Sequence, residues 1–254
     1  MPKMSGVDGR NALVTGGGRG IGRVTADLLA ARGANVVCVA RNVVELGNSG
    51  HAFVAADLGT PEGCLQAVSE AEAHLGYIDI LICNHGIGSA HERVVWEQDK
   101  DAWQETMRVN LDAPFHLSRL VLPGMIERQY GRLVYTGSTA SLVPEYAGSA
   151  YNSSKHGLLG LMRSVAVDAG EFGITANAVL PGWVRTEMAE RSARHEARDR
   201  GVSTDEVWAE RAALYPPRRV ATPAEVAAVI GFLASEEASG VNGEAIRVAL
   251  GSTV

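Results

Sequence analysis

Cysteine is the first scarcity. Cys38, Cys64 and Cys83 are the only three in 254 residues, each in or beside an apolar stretch and without metal-ligand spacing. So placed, they read as buried, reduced thiols, which excludes a disulfide framework and gives no metal site. Long apolar runs are missing as well. Nothing is long enough to cross a bilayer and the start is not signal-like, so the expectation is a soluble, cytoplasmic protein with no membrane partner. Positive charge is also in deficit: 23 Lys and Arg against 29 Asp and Glu leave a formal net charge of -6, which argues against nucleic acid as a partner. Neither repeat nor linker breaks the chain, and its length suits one domain over residues 1–254.

Glycine, by contrast, is plentiful, with 29 residues grouped after stretches that read as strands. Asn11 to Thr15 reads as a buried strand, and Gly16-Gly17-Gly18-Arg19-Gly20-Ile21-Gly22 follows it directly, opening a helix expected from Gly20 to Arg32. A glycine triplet alone is equally a tight turn. Set between a strand and a helix, it makes a phosphate site: glycines admit close backbone approach, and the helix start presents free N–H groups with positive partial charge. The next strand, Asn35 to Ala40, ends at Arg41 with no acid beside it. An acid there would bind a free ribose 2'-hydroxyl; Arg41, with Arg19 as a second cation, suits a 2'-phosphate, so NADP(H) is favoured over NAD(H). The other reading leaves both arginines solvated. About ten residues then separate Arg41 from a third strand at Ala52 to Ala56, room for one helical turn. Asp57-Leu58 follows, where the carboxylate accepts from an adenine amino group or caps the helix starting near Pro61.

The alternation continues with strands at Ile78 to Cys83, Arg132 to Thr136, Thr175 to Leu180 and Glu244 to Ala249. Helical stretches lie between them, including Lys100 to Leu111 and onward through Pro114 to Arg128. The predicted class is α/β, a Rossmann-like, doubly wound, seven-stranded parallel sheet with helices on both faces. Such sheets place ligands at the carboxyl ends of their strands. There the chain delivers Asn84-His85-Gly86, Gly137-Ser138 and Pro181-Gly182-Trp183-Val184-Arg185-Thr186. Tyr151 and Lys155, four apart, share one face of a helix beginning near Ala150, and a loop folding back brings Ser138 to them. A phenol titrates near pH 10; a neighbouring ammonium favours its phenolate and lowers that value, which outlines a proton-transfer site. A buried tyrosine with a lysine snorkelling beside it is the plain alternative. Asn110, mid-helix where asparagine is unhelpful, is a candidate held for its side chain, a surface or capping role being equally common. From Glu187 to Arg219 a charged stretch reads as an amphipathic helix pair, placed as a lid over the site.

Taken together, these motifs resemble the short-chain dehydrogenase/reductase family, its single-domain branch of about 250 residues, over essentially the whole chain. Thr15 to Gly22 is similar to the family's cofactor motif, and Asn84-His85-Gly86 to its Asn-Asn-Ala-Gly segment, with Cys83 and His85 departing from it. Asn110, Ser138, Tyr151 and Lys155 match its catalytic tetrad, and Pro181-Gly182 with Thr186 the segment that holds the nicotinamide. The resemblance implies a cofactor site of Gly16, Gly18, Arg19, Gly20, Ile21, Gly22, Arg41, Asp57, Leu58, Asn84, Gly86, Pro181, Gly182, Val184 and Thr186, with Tyr151 and Lys155. It further implies that Ser138 bonds the substrate oxygen, that Tyr151 moves the proton, and that Lys155 lowers the Tyr151 pKa and binds ribose hydroxyls. Asn110 would hold a water, and the assembly would be a homotetramer. His85, beside the nicotinamide site, either packs or joins a proton path; packing is favoured.

The expected function is therefore oxidoreduction between NADP(H) and a ketone or secondary alcohol. Lining candidates Ile87, Leu142, Val143, Tyr146, Trp183, Met188, Trp208 and Tyr215 are mostly apolar and favour a hydrophobic or cyclic substrate. An NAD(H)-dependent secondary-alcohol dehydrogenase and a 3-oxoacyl-thioester reductase are alternatives within that chemistry. A catalytically silent nucleotide-sensing scaffold is the alternative from another class; it has no need of Ser138, Tyr151 and Lys155 together.

Overall fold

Strand β1 (Asn11–Thr15) is buried along its whole length and pairs in parallel with β2 (Asn35–Ala40) on one side and β4 (Ile80–Cys83) on the other. The structure, a computed structural model, describes residues 6–42, 50–88 and 93–252. The helical turn expected after Arg41 falls at 43–49, outside the described residues. Adding β3 (Ala52–Ala55), β5 (Gly131–Thr136), β6 (Ile174–Pro181) and β7 (Ala245–Val248) gives a parallel sheet of order β3-β2-β1-β4-β5-β6-β7. The order in which strands are added reverses at β1 and β4, and a crevice opens where their connections part.

Residue alternation explains why the sheet is covered on both faces. Leu13 of β1 and Leu81 of β4 enter one core. Val14 and Ile82, their neighbours in sequence, enter the other. The first core is closed by α2 (Pro61–Leu75), α4 (Ala113–Glu127) and α5 (Ser149–Ala169), the second by α1 (Gly20–Ala31) and α8 (Pro223–Leu233). The α8 start is a reciprocal capping box between Thr222 and Glu225.

Two local expectations are corrected. Asp57 does not cap α2: Thr60 does, accepting from Gly63 N–H at 3.0 Å, while Asp57 accepts from Gly59 N–H at 3.1 Å. The helix carrying Asn110 is not continuous either. It runs as α3 (Lys100–Met107), then a π turn over Arg108–Asp112, then α4. The residue that disfavours a regular helix sits where the ladder loosens. The charged stretch folds as the expected pair, α6 (Glu187–Arg200) and α7 (Thr204–Ala213). No described helix is long and apolar enough to cross a membrane.

Candidate active site

The strand ends open into a cleft of about 1380 Å³. Its floor begins at the glycine turn. Gly16 and Gly20 have φ of 65° and 54°, which only glycine adopts readily. A Cβ on Gly22 would overlap the Gly16 carbonyl oxygen and the Asn84 amide, so α1 packs against the turn only because Gly22 has none. Gly16, Gly18, Arg19, Gly20 and Ile21 line the cleft; Gly22 lies behind them. Arg19 bonds Glu187 in the first turn of α6 at 3.3 Å, joining the turn to the far wall. Arg41 is exposed and lines the same cleft, as do Asp57 and Leu58. An anionic dinucleotide fits this cradle: bare main chain at a helix start, with two guanidinium groups at its edges.

The next segment is held by paired side chains. Asn84 donates to the Thr15 carbonyl at 3.2 Å, and its carboxamide oxygen accepts from Thr136 at 3.4 Å. Asn110, buried, clamps Ile87 from both sides: its oxygen accepts from Ile87 N–H and its nitrogen donates to the Ile87 carbonyl, each at 2.9 Å. The nitrogen also donates to Ser154 at 3.2 Å. A Cβ on Gly86 would stand 3.2 Å from the Asn110 oxygen and 3.8 Å from Lys155 Nζ, so the loop passes close to both. The His85 ring lies 2.7 Å from the Thr15 hydroxyl, while its Nε2 is buried without a hydrogen-bond partner among the described residues. Burial, and next the Lys155 charge, push His85 down to about 4, which keeps the imidazole neutral near pH 7.

Ser138, Tyr151 and Lys155 meet beside this loop. Ser138 follows β5, and its Oγ accepts from Ala140 N–H at 3.1 Å within a capping box with Ser141. Tyr151 and Lys155 lie in the first two turns of α5, on one face as their spacing requires. Tyr151 is hydrogen-bonded to Ser138, and Lys155 Nζ stands 5.6 Å from the Tyr151 ring centroid while donating to the Thr136 carbonyl at 2.9 Å. Burial pushes Lys155 down to about 8. It pushes Tyr151 up to about 12, with the Ser138 bond acting against it and the Glu145 charge adding to it. The phenol therefore titrates above its ordinary value rather than below it, because desolvation of the phenolate is the largest influence on it.

The far wall combines two kinds of surface. Pro181, Gly182, Val184 and Thr186 line the cleft, and Thr186 caps α6 by accepting from Ala189 N–H at 3.2 Å. Ile87, Val143, Tyr146, Trp183, Met188 and Tyr215 line its outer part. Leu142 and Trp208 do not. Trp208 is buried between the lid helices with Ala189, Ala193 and Ala197, its indole N–H bonded to Glu190 at 3.0 Å. The mostly apolar wall expected from sequence is also corrected: Glu145, Arg191, Ser192, His195, Glu196 and Asp199 line it too. Helical periodicity placed an apolar stripe in 187–219, but that stripe closes α6 on α7, and the polar face of α6 turns to the cleft.

A family model described as short chain dehydrogenase matches residues 10–197. D-beta-hydroxybutyrate dehydrogenase of Cupriavidus necator is 32% identical over 247 residues, spanning 93% of this chain and 95% of that protein. A 3-oxoacyl-acyl-carrier-protein reductase of Vibrio cholerae is 31% identical over 249 residues, spanning 95% and 96%. Among solved structures, L-sorbose reductase from Gluconobacter frateurii, complexed with NADPH and L-sorbose, matches with a TM-score of 0.92 at 29% identity over 98% of each chain.

Proposed function

Because the chain belongs to the short-chain dehydrogenase/reductase family, a family of oxidoreductases acting on CH–OH and C=O groups, we propose that it interconverts a ketone and a secondary alcohol with NADP(H). The observation that carries this reading is the convergence of Ser138, Tyr151 and Lys155 on the cleft that begins at the glycine turn. When bound, the nicotinamide supplies hydride to the carbonyl carbon or takes it from the carbinol.

The chain's own residues do the rest. Tyr151, at about 12, stays protonated near neutral pH and can deliver its proton to the oxygen that gains negative charge. Ser138, bonded to Tyr151, offers a hydroxyl to the same oxygen. Lys155, at about 8, is mostly cationic at pH 7, so its charge favours the phenolate left behind and its N–H groups suit ribose hydroxyls. Asn110 fixes the Ile87 loop through its side chain, and the loosened ladder of the π turn makes its main-chain carbonyl a seat for water.

Asn84, Gly86, Pro181, Gly182, Val184 and Thr186 would flank the nicotinamide half, with Asp57 and Leu58 at the adenine end. Arg41 and Arg19 support the preference for NADP(H), since guanidinium groups match a 2'-phosphate; the solved relative with NADPH agrees with that choice. Val143, Tyr146, Trp183 and Met188 support a ketone with a hydrophobic or cyclic portion, set beside the polar face of α6, and α6 with α7 would serve as the lid of a single domain. Exposed Phe115 of α4 and Val167 of α5 support a homotetramer, which gel filtration tests; the same reading places the enzyme in the cytoplasm. The test of function is consumption of NADPH by the purified protein across a ketone panel. Absence of turnover with every ketone and both cofactors would overturn it.

A further inference from the structure

Tyr215, just past α7, is 5% exposed, yet it lines the cleft. Its phenol oxygen accepts from Trp183 N–H at 2.6 Å, and it lies so close to Gly182 that a Cβ there would overlap it. Trp183 is in turn gripped through its ring by the Arg211 guanidinium, 3.6 Å from the ring centroid. The phenol is therefore fixed in place by main chain on one side and by the lid pair on the other. Its oxygen is used as an acceptor, but among the described residues its O–H donates to no protein group. A buried hydroxyl leaves its proton unmatched only at a cost, unless something in the cleft accepts it.

The position says where that acceptor would be. Ser138 follows β5 and Gly182 follows β6, and these strands are paired with Thr136 opposite Val179. Gly182, which Tyr215 covers, thus follows the strand next to the one that Ser138 follows, the strands themselves ~5 Å apart. Tyr151, Tyr215 and Glu145 all line this one cleft.

We propose that Tyr215 is a specificity residue whose O–H donates to a second oxygen of the substrate, so that this site takes ketones bearing another hydroxyl or carbonyl a few bonds from the reacting one. This rests on the ketone reduction proposed above and narrows its substrate class. A donor set for one substrate oxygen discriminates strongly against the analogue lacking it, because the protein group is then left unpaired.

The test compares cyclohexanone with 4-hydroxycyclohexanone, with NADPH, in the wild type and in Tyr215→Phe. The expected result is a loss of kcat/KM at least tenfold greater for the hydroxyketone than for cyclohexanone. Equal losses with both ketones, together with weaker quenching of NADPH fluorescence, would show that the phenol only braces Trp183 and would overturn the proposal. No loss with either would overturn it as well. Should the wild type reduce neither of these two ketones, the reduction is left to the full ketone panel with both cofactors. The contact is then judged by dissociation constants of cyclohexane-1,4-diol and cyclohexanol with NADP+ present: a diol preference that Tyr215→Phe abolishes supports it, and equal constants in the two proteins overturn it.

Discussion

On one wall of the cleft the chain offers main chain brought close by glycines; on the other, α6 and α7 offer charged side chains paired mostly to one another. The first wall is set by steric exclusion. Gly22 has no alternative, since a Cβ there meets backbone and a fixed amide, and Gly16, at positive φ, has the next loop close against it. The second is set by ion pairs between exposed groups, such as Arg200 with Glu196 and Glu210, each at 2.7 Å. Packing constraints are short-ranged and unforgiving, whereas exposed charge pairs are screened and replaceable. The difference teaches that the cofactor side tolerates little change, while the lid side is free to vary its exposed charges, though not the buried Arg211.

Five measurements break or sharpen that contrast. The largest effect belongs to neither wall but to the group between them: Tyr151→Phe is expected to lower turnover by roughly 10²- to 10⁴-fold, as loss of an acid–base residue does, while NADPH still quenches. Turnover at the wild-type rate would remove Tyr151 from the proton step. Next, Gly22→Ala should cost about 1–3 kcal/mol of stability through overpacking and abolish cofactor binding, read by thermal unfolding and fluorescence titration. Arg41→Ala should cut the preference for NADPH over NADH by roughly tenfold, the worth of a charge-assisted bond; an unchanged ratio of dissociation constants would detach Arg41 from the 2'-phosphate.

The pH arm follows from Lys155. Its folded pKa is lowered to about 8 from an ordinary 10.5, so the ammonium is present below pH 8 and lost as pH rises through it. Reduction rate should therefore fall above about pH 8, and a profile flat from 7 to 9 would contradict a working ammonium. The smallest effect is expected from Arg200→Ala on the lid, where all partners are solvent-facing: no measurable change in melting temperature or in cofactor affinity. A clear loss in either would mean the lid wall is as constrained as the glycine wall.

How legible each wall was in the sequence follows the same physics. The glycine turn could be read because its steric demands reduce to residue identity at fixed offsets, and the strands because burial on both faces leaves unbroken apolar runs such as Val36 to Ala40. The Tyr151 and Lys155 face followed from helical spacing alone. What could not be read depended on orientation and on solvent. Trp208 and Tyr215 have equal claims on an amphipathic pattern, yet one fills the seam between the lid helices and the other reaches the cleft. The direction of the Tyr151 shift depends on how much water is excluded, which no spacing encodes. The π turn at Asn110 was hinted at by an asparagine in a helix, but only its bonds to Ile87 explain it.

Those two bonds have a consequence for the tolerance of this position to substitution. Asn110 must accept from one main-chain group and donate to another 2.9 Å away on the same residue. Aspartate has no amide donor, leucine has neither group, and glutamine carries the pair one methylene too far out. In a library that randomises every residue and selects for folded, cofactor-competent protein, position 110 should stand beside position 22 among the most depleted, a demand set by loop geometry before any chemistry is scored.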